Sequence, residues 1–151
     1  MIVGSQRGFT LLEVMIAISI AALLVAVSVP AASKMYEAMA YRTAVRDVRS
    51  TLESARLQAM SKGHFVDVLV RPRDRQVFVE GGKVVSIPEA LSLSVTAAEQ
   101  LQRDRDTAVV RFYSDGMSSG GAVSLLRAKG AGVSIEVGWL LGEVKQHAIA
   151  P

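Results

Sequence analysis

The sequence predicts an α+β fold, one long N-terminal helix followed by an antiparallel β-sheet head. Three observations carry that prediction. Val14–Ser33 is an uncharged apolar run, and from Lys34 to Lys62 small or apolar residues recur every three or four positions. Beyond Gly63 the apolar period drops to two. Helices repeat every 3.6 residues and strands every two, so the change of period marks the change of structure. A helix followed only by strands is an α+β layout, and strands joined by tight turns pair antiparallel.

The chain opens with a short segment, residues 1–8, whose one charge is Arg7. Residues 9–33 are expected to form a transmembrane N-terminal helix. The twenty uncharged residues after Glu13 reach ~30 Å as a helix, the thickness of a bilayer's hydrocarbon core. Glu13 stands at the start of that run, where a carboxylate costs ~2.5–3.5 kcal/mol on insertion scales and so points to a function. The run is too long for a signal peptide's apolar region, and Ser28-Val29-Pro30 makes a poor cleavage site.

Residues 34–62 are expected as the amphipathic half of the same helix. Ala38, Tyr41, Val45, Val48, Leu52, Ala55 and Ala59 form one stripe, with Arg42, Arg46, Arg49, Glu53 and Arg56 off it. Lys62 suits the last turn and Gly63 the position after it. Pro30 removes one helical hydrogen bond and predicts a kink in the preceding turn.

Residues 63–151 are expected as a β-rich head. Val66, Val68 and Val70 alternate with Asp67 and Leu69 before a turn at Arg71–Arg75. Val77 and Val79 return toward Gly81-Gly82, and Leu91, Leu93 and Val95 alternate with Ser92, Ser94 and Thr96. Val110 and Phe112 lead to the Ser114–Gly121 loop, with Val123 and Leu125 after it. Val133, Ile135, Val137 and Trp139 alternate with polar residues or glycine, and a final strand is expected to run through Val144.

Composition narrows the chemistry. The net charge of +3 across 151 residues is too small to argue for nucleic acid by itself. With no cysteine, neither disulfide nor thiol chemistry is possible. The Asp115–Gly121 loop lacks the Gly-Lys-Ser/Thr ending of a phosphate loop and the acidic spacing of a calcium loop, so it reads as a turn. His64 is expected to cap the first strand, His147 to lie in a frayed tail, and Trp139 to face the core. Neither histidine sits in a metal or triad pattern, and no serine has a nucleophile-elbow context. No catalytic residue, cofactor or metal is expected. Arg71, Arg73 and Arg75 make one basic turn, and Arg103 and Arg105 a second segment interleaved with Asp104 and Asp106. Both read as solvated turns, so DNA is not an expected partner.

Arg7-Gly8-Phe9-Thr10-Leu11-Leu12-Glu13, running into Val14 and the apolar helix, resembles the type IV pilin signature shared by pilins and the pseudopilins of type II secretion. The resemblance implies a leader of residues 1–8, cut after Gly8 by a prepilin peptidase that also methylates the new N-terminal Phe9. It implies that Glu13, at the fifth mature position, directs subunit assembly, and that Pro30 lets the stem unwind locally in a filament. The freed α-amine of Phe9 is largely cationic at neutral pH. Glu13 of one subunit can then pair with the Phe9 amine of its neighbour. Removing one member of such a buried pair costs ~3–5 kcal/mol, which would enforce the register between subunits.

Three further segments are similar to the H-type minor pseudopilins of the type II (general) secretion pathway. These are Arg56–Gly63 running into a valine-rich strand, the loop Phe112–Gly121, and the ending Val137–Val144 with its tryptophan. The resemblance implies a pilin-like fold and a non-enzymatic component of the pseudopilus that supports protein export across the outer membrane. It implies a single pass through the inner membrane with the head in the periplasm. The implied partners are other pseudopilins, major and minor, the prepilin peptidase, the inner-membrane secretion platform and inner-membrane lipid. Charge counting alone, with Arg7 before the run and Lys34, Arg42, Arg46 and Arg49 after it, would put the head in the cytoplasm. Minor pilins of type IV pili, which prime pili or take up DNA, share much of the pattern and are the alternative.

Overall fold

In the computed structural model, residues 8–97, 106–128 and 130–150 are described, with the backbone alone for 27–32 and 34. Leader residues 1–7 and the basic pair Arg103 and Arg105 lie outside the described residues. So does the side chain of Pro30, and with it the expected kink.

Helix α1 spans Leu11–Lys62 and is the single helix among the described residues. Its C-terminal end follows the expected chemistry. Gly63 adopts a φ of 69° and donates its amide to the Ala59 carbonyl at 3.1 Å. A left-handed residue after the last turn is where glycine is strongly preferred.

Eight strands follow: β1 (Val66–Arg71), β2 (Gln76–Val79), β3 (Val84–Ser86), β4 (Leu91–Ala97), β5 (Ala108–Phe112), β6 (Gly121–Arg127), β7 (Gly132–Val137) and β8 (Val144–Ile149). They form two four-stranded sheets, ordered β3-β2-β1-β5 and β4-β6-β7-β8, with every pairing antiparallel. The expected α+β class and antiparallel pairing are both present.

Three expectations need correction. The final strand begins at Val144 instead of ending there, so His147 is not in a frayed tail. It sits in β8 opposite Ser134, with Nε2 3.4 Å from Glu136. Trp139 lies in the turn after β7 and is 64% exposed, not in the core. The alternation Val133, Ile135, Val137 does place those three inside, but β7 ends at Val137 because the chain turns at Gly138. Beyond these three, β3 is a strand the sequence reading did not anticipate, since three residues are too few to show a period of two.

The chain divides into two compact units, one ending at Ala38 and one beginning at Met39. In the first, every described large apolar side chain is exposed, Phe9 and Leu11–Val25 included. Among the described residues no helix is long and apolar enough to cross a membrane. The described side chains of the apolar run stop at Ala26 and resume at Ser33, so the expected span falls partly outside them.

In the second unit the predicted stripe of α1 is the buried one. Val48, Leu52, Ala55 and Ala59 are fully buried. They share one apolar cluster with Val68, Val70, Val77, Val110 and Phe112 of the first sheet and Val123, Leu125 and Ile135 of the second. Burying each Val, Leu, Ile or Phe contributes ~1.5–3 kcal/mol, so this shared cluster is what fixes α1 on both sheets. The alanines at 55 and 59 add little area but let the helix backbone approach closely.

Candidate functional sites at the helix start and on the head

Thr10 determines where α1 begins. Its side-chain Oγ1 accepts the backbone amide of Glu13 at 3.2 Å, and its carbonyl accepts that of Val14 at 3.3 Å. Thr10 is therefore the N-cap and Glu13 the third helical residue, the spacing of a capping box. A carboxylate in the first turn also suits the positive end of the helix dipole. The signal for this cap, a threonine three residues before a glutamate ahead of an apolar run, was present in the sequence. It was read there only as part of a longer motif.

Gly8 and Phe9 precede the cap and are not helical, and both are exposed. A Cβ added at Gly8 would meet no atom within 4 Å. Among the described residues, no packing therefore requires glycine at that position. Glu13 is exposed on a helix whose neighbouring side chains, Leu11, Leu12, Val14, Met15 and Ile16, are apolar and exposed too. Such a surface is suited to burial by lipid or by other apolar helices, and in either setting the carboxylate must be paired with a cation or neutralised by a proton.

A second assembly of residues lies on the head, where the loop 113–120, the loop 138–143 and the end of α1 meet. Arg56 donates from Nε to the Gly116 carbonyl at 3.3 Å. A Cβ on Gly142 would fall 2.3 Å from that same carbonyl oxygen and 3.1 Å from Arg56 Nε. The two loops are tied together by Ser118, whose amide donates to the Trp139 carbonyl at 3.0 Å and whose hydroxyl donates to the Gly138 carbonyl at 2.9 Å. Gly138 donates to Glu143, and Gly142 to Gly138, both at 2.9 Å. Asp115 Oδ1 accepts the Met117 amide at 3.0 Å, the geometry of an Asx turn. Arg56, placed off the core stripe by periodicity, is thus a clamp between helix and loop.

Two of the three arginines of the basic turn are paired with carboxylates. Arg73 pairs with Asp106 at 2.8 Å and Arg75 with Glu89 at 3.1 Å, while Arg71 lies 5.1 Å from the Phe78 ring centre. His64 turns Nδ1 to the Phe65 carbonyl, 2.9 Å away, at the entry to β1. Among the described residues no three His, Asp or Glu side chains group closely enough to hold a metal ion.

Comparisons with known proteins bear on the first of these sites and on the chain as a whole. Residues 4–29 match the family model of the prokaryotic N-terminal methylation motif. Over 139 residues the chain is 32% identical to the type II secretion system protein H of Xanthomonas campestris pv. campestris, covering 92% of this chain and 82% of that protein. The fold is similar to that of the minor pseudopilin EpsH from the type 2 secretion system of Vibrio cholerae. That similarity has a TM-score of 0.57 at 12% identity, covering 72% of this chain and 96% of the other.

Proposed function

The chain belongs to the type II secretion system protein H family, the minor pseudopilins of that pathway, and from that premise we propose how it works. It is a structural subunit of a pseudopilus, supporting protein export across the outer membrane without itself catalysing a reaction. Residues 1–8 are a leader removed by a prepilin peptidase, which then methylates Phe9. Residues 9–33 hold the subunit in the inner membrane, 34–62 join that stem to the head, and 63–151 lie in the periplasm. Other pseudopilins, major and minor, and the inner-membrane secretion platform are its partners.

One observation carries this reading. Glu13 is the sole described charge in the apolar stretch from Phe9 to Ala26, exposed in the first turn of a helix that begins just after an accessible Gly8–Phe9 bond. Cleavage there creates an amine next to the carboxylate's level on the stem. A neighbouring subunit can therefore supply the cation that Glu13 needs once water is excluded. A protein H relative favours a secretion pseudopilus over a type IV pilus.

Expression of the full chain with and without a prepilin peptidase tests the reading. The expected result is a mobility shift that depends on the peptidase, with a mature N-terminus of methylated Phe9. Protease treatment of spheroplasts should degrade the head. A leader still attached to a subunit that restores secretion, or a head protected from protease, would overturn the proposal.

A further inference from the structure

We propose that the surface around Trp139 is the face through which the head docks another pseudopilin subunit, by an uncharged apolar patch on that subunit. This inference rests on the assembly role above and names the surface of the head that serves it.

Trp139, Leu140 and Leu141 are consecutive and 64%, 55% and 59% exposed. They cap the turn held against Gly116 and Arg56. Tyr113 opens the adjoining loop, and Met60 reaches the same joint, with its sulfur 3.5 Å from where a Gly116 Cβ would lie. Leu57 stands one turn before Met60 on the same helix face. All six side chains are large, apolar and exposed. Together they offer on the order of 600 Å², at the upper end of the largest apolar patch on an ordinary monomer and approaching the ~800 Å² that each partner contributes to a standard interface.

Electrostatics select the occupant. An anionic bilayer surface is bound through lysine and arginine beside the apolar residues. Here Arg56 donates to Gly116, Lys145 is held by Glu143 at 2.6 Å, and Asp115 is exposed in the same loop. Arg56 and Lys145 are matched one for one by Asp115 and Glu143, so these four groups present no net positive charge to phosphate. Rigidity points the same way. Ser118 and Gly138 hold the turn through backbone and hydroxyl bonds, so the tryptophan is presented with little further entropy to lose. A fixed, central aromatic side chain is the usual anchor of a protein interface.

The test uses the full-length chain in cells carrying the secretion system. A photo-cross-linking residue is placed at Trp139, at Leu141 and, as a control, at exposed Val84 in β3. Adducts with a pseudopilin, identified by mass spectrometry, are expected from the first two positions and not from Val84. Trp139→Ser with Leu141→Ser should lower co-purification of that pseudopilin at least ~10-fold. An unchanged circular dichroism melt would show the fold intact. Processing at Gly8 and dependence of secretion on this chain are scored in the same cells. With both intact, adducts only to phospholipid, no adducts at either position, or unchanged co-purification would overturn the docking surface while leaving the assembly role standing.

Discussion

Asp67 and Arg111 hold each other across the β1–β5 pairing through two bonds of 2.7 and 2.8 Å. They are directly opposite in register, and the guanidinium lies 4.1 Å from the Phe65 ring centre. The backbone of Arg111 continues the link, since its amide meets the Ser119 hydroxyl at 3.0 Å and its carbonyl the Ser119 amide at 2.8 Å. The pair therefore ties the first strand of the head to the loop that carries Ser118. The Asp67 side chain is 2% exposed and that of Arg111 26%. Asp67→Ala should cost about 2–3 kcal/mol, below the full penalty for a broken buried pair because water reaches the arginine. Arg111→Lys should recover only part of the stability, because lysine cannot form the paired bonds. Thermal or urea unfolding measures both.

Gly142→Ala should destabilise the head by roughly 1–3 kcal/mol. The new methyl would collide with the Gly116 carbonyl, and the φ of 57° disfavours any side chain. Trp139 is the single tryptophan and sits three residues away, so its emission spectrum should shift along with the melting temperature.

Gly8→Ala should leave folding unchanged, since among the described residues no atom lies within 4 Å of the added methyl. Loss of the peptidase-dependent mobility shift would then report the enzyme's requirement alone. Glu13→Ala should keep that shift and lose incorporation into pseudopili. Wild-type secretion from a Glu13→Ala strain would contradict the pairing of Glu13 with a neighbour's Phe9 amine.

DNA binding should be absent at physiological salt. Arg73 and Arg75 are engaged by carboxylates, and phosphate contacts weak enough to need low salt are lost as counterions compete. A salt-titrated mobility-shift assay with the intact chain checks this. Binding that survives ~0.15 M salt would restore the DNA-uptake alternative.

Lys145 carries a pH prediction. The hydrogen bond from its Nζ to Glu143, then the charge of that carboxylate and of Glu136, raise its pKa above the ordinary 10.5. A raised pKa stabilises the fold in full below the unfolded value and ceases to do so as pH rises through the folded one. At any pH well below the ordinary 10.5 Lys145 therefore keeps its charge, and Lys145→Met should not change how the melting temperature varies with pH around neutrality.

Periodicity alone located the amphipathic part of α1, its end at Gly63 and most strands, because a helix or strand exposes its repeat locally. The helix start, expected at residue 9, falls instead at Leu11, because Thr10 caps the first turn through the Glu13 amide. In β1, however, Asp67 and Leu69 sit at alternate positions that a half-exposed strand would turn to water, and both are buried. The strand is central in its sheet and covered on both faces, so its alternation could not tell inside from outside.

What the sequence determined by itself is the N-terminal methylation motif, the apolar run after it and the order of helix before strands, each written in neighbouring residues. Tertiary structure decided that eight strands split into two sheets, that Trp139 leaves the core while Val137 stays in it, and that Arg56 clamps a loop sixty residues away. Those outcomes depend on contacts between distant segments, and the energies that choose among them arise only when the segments meet.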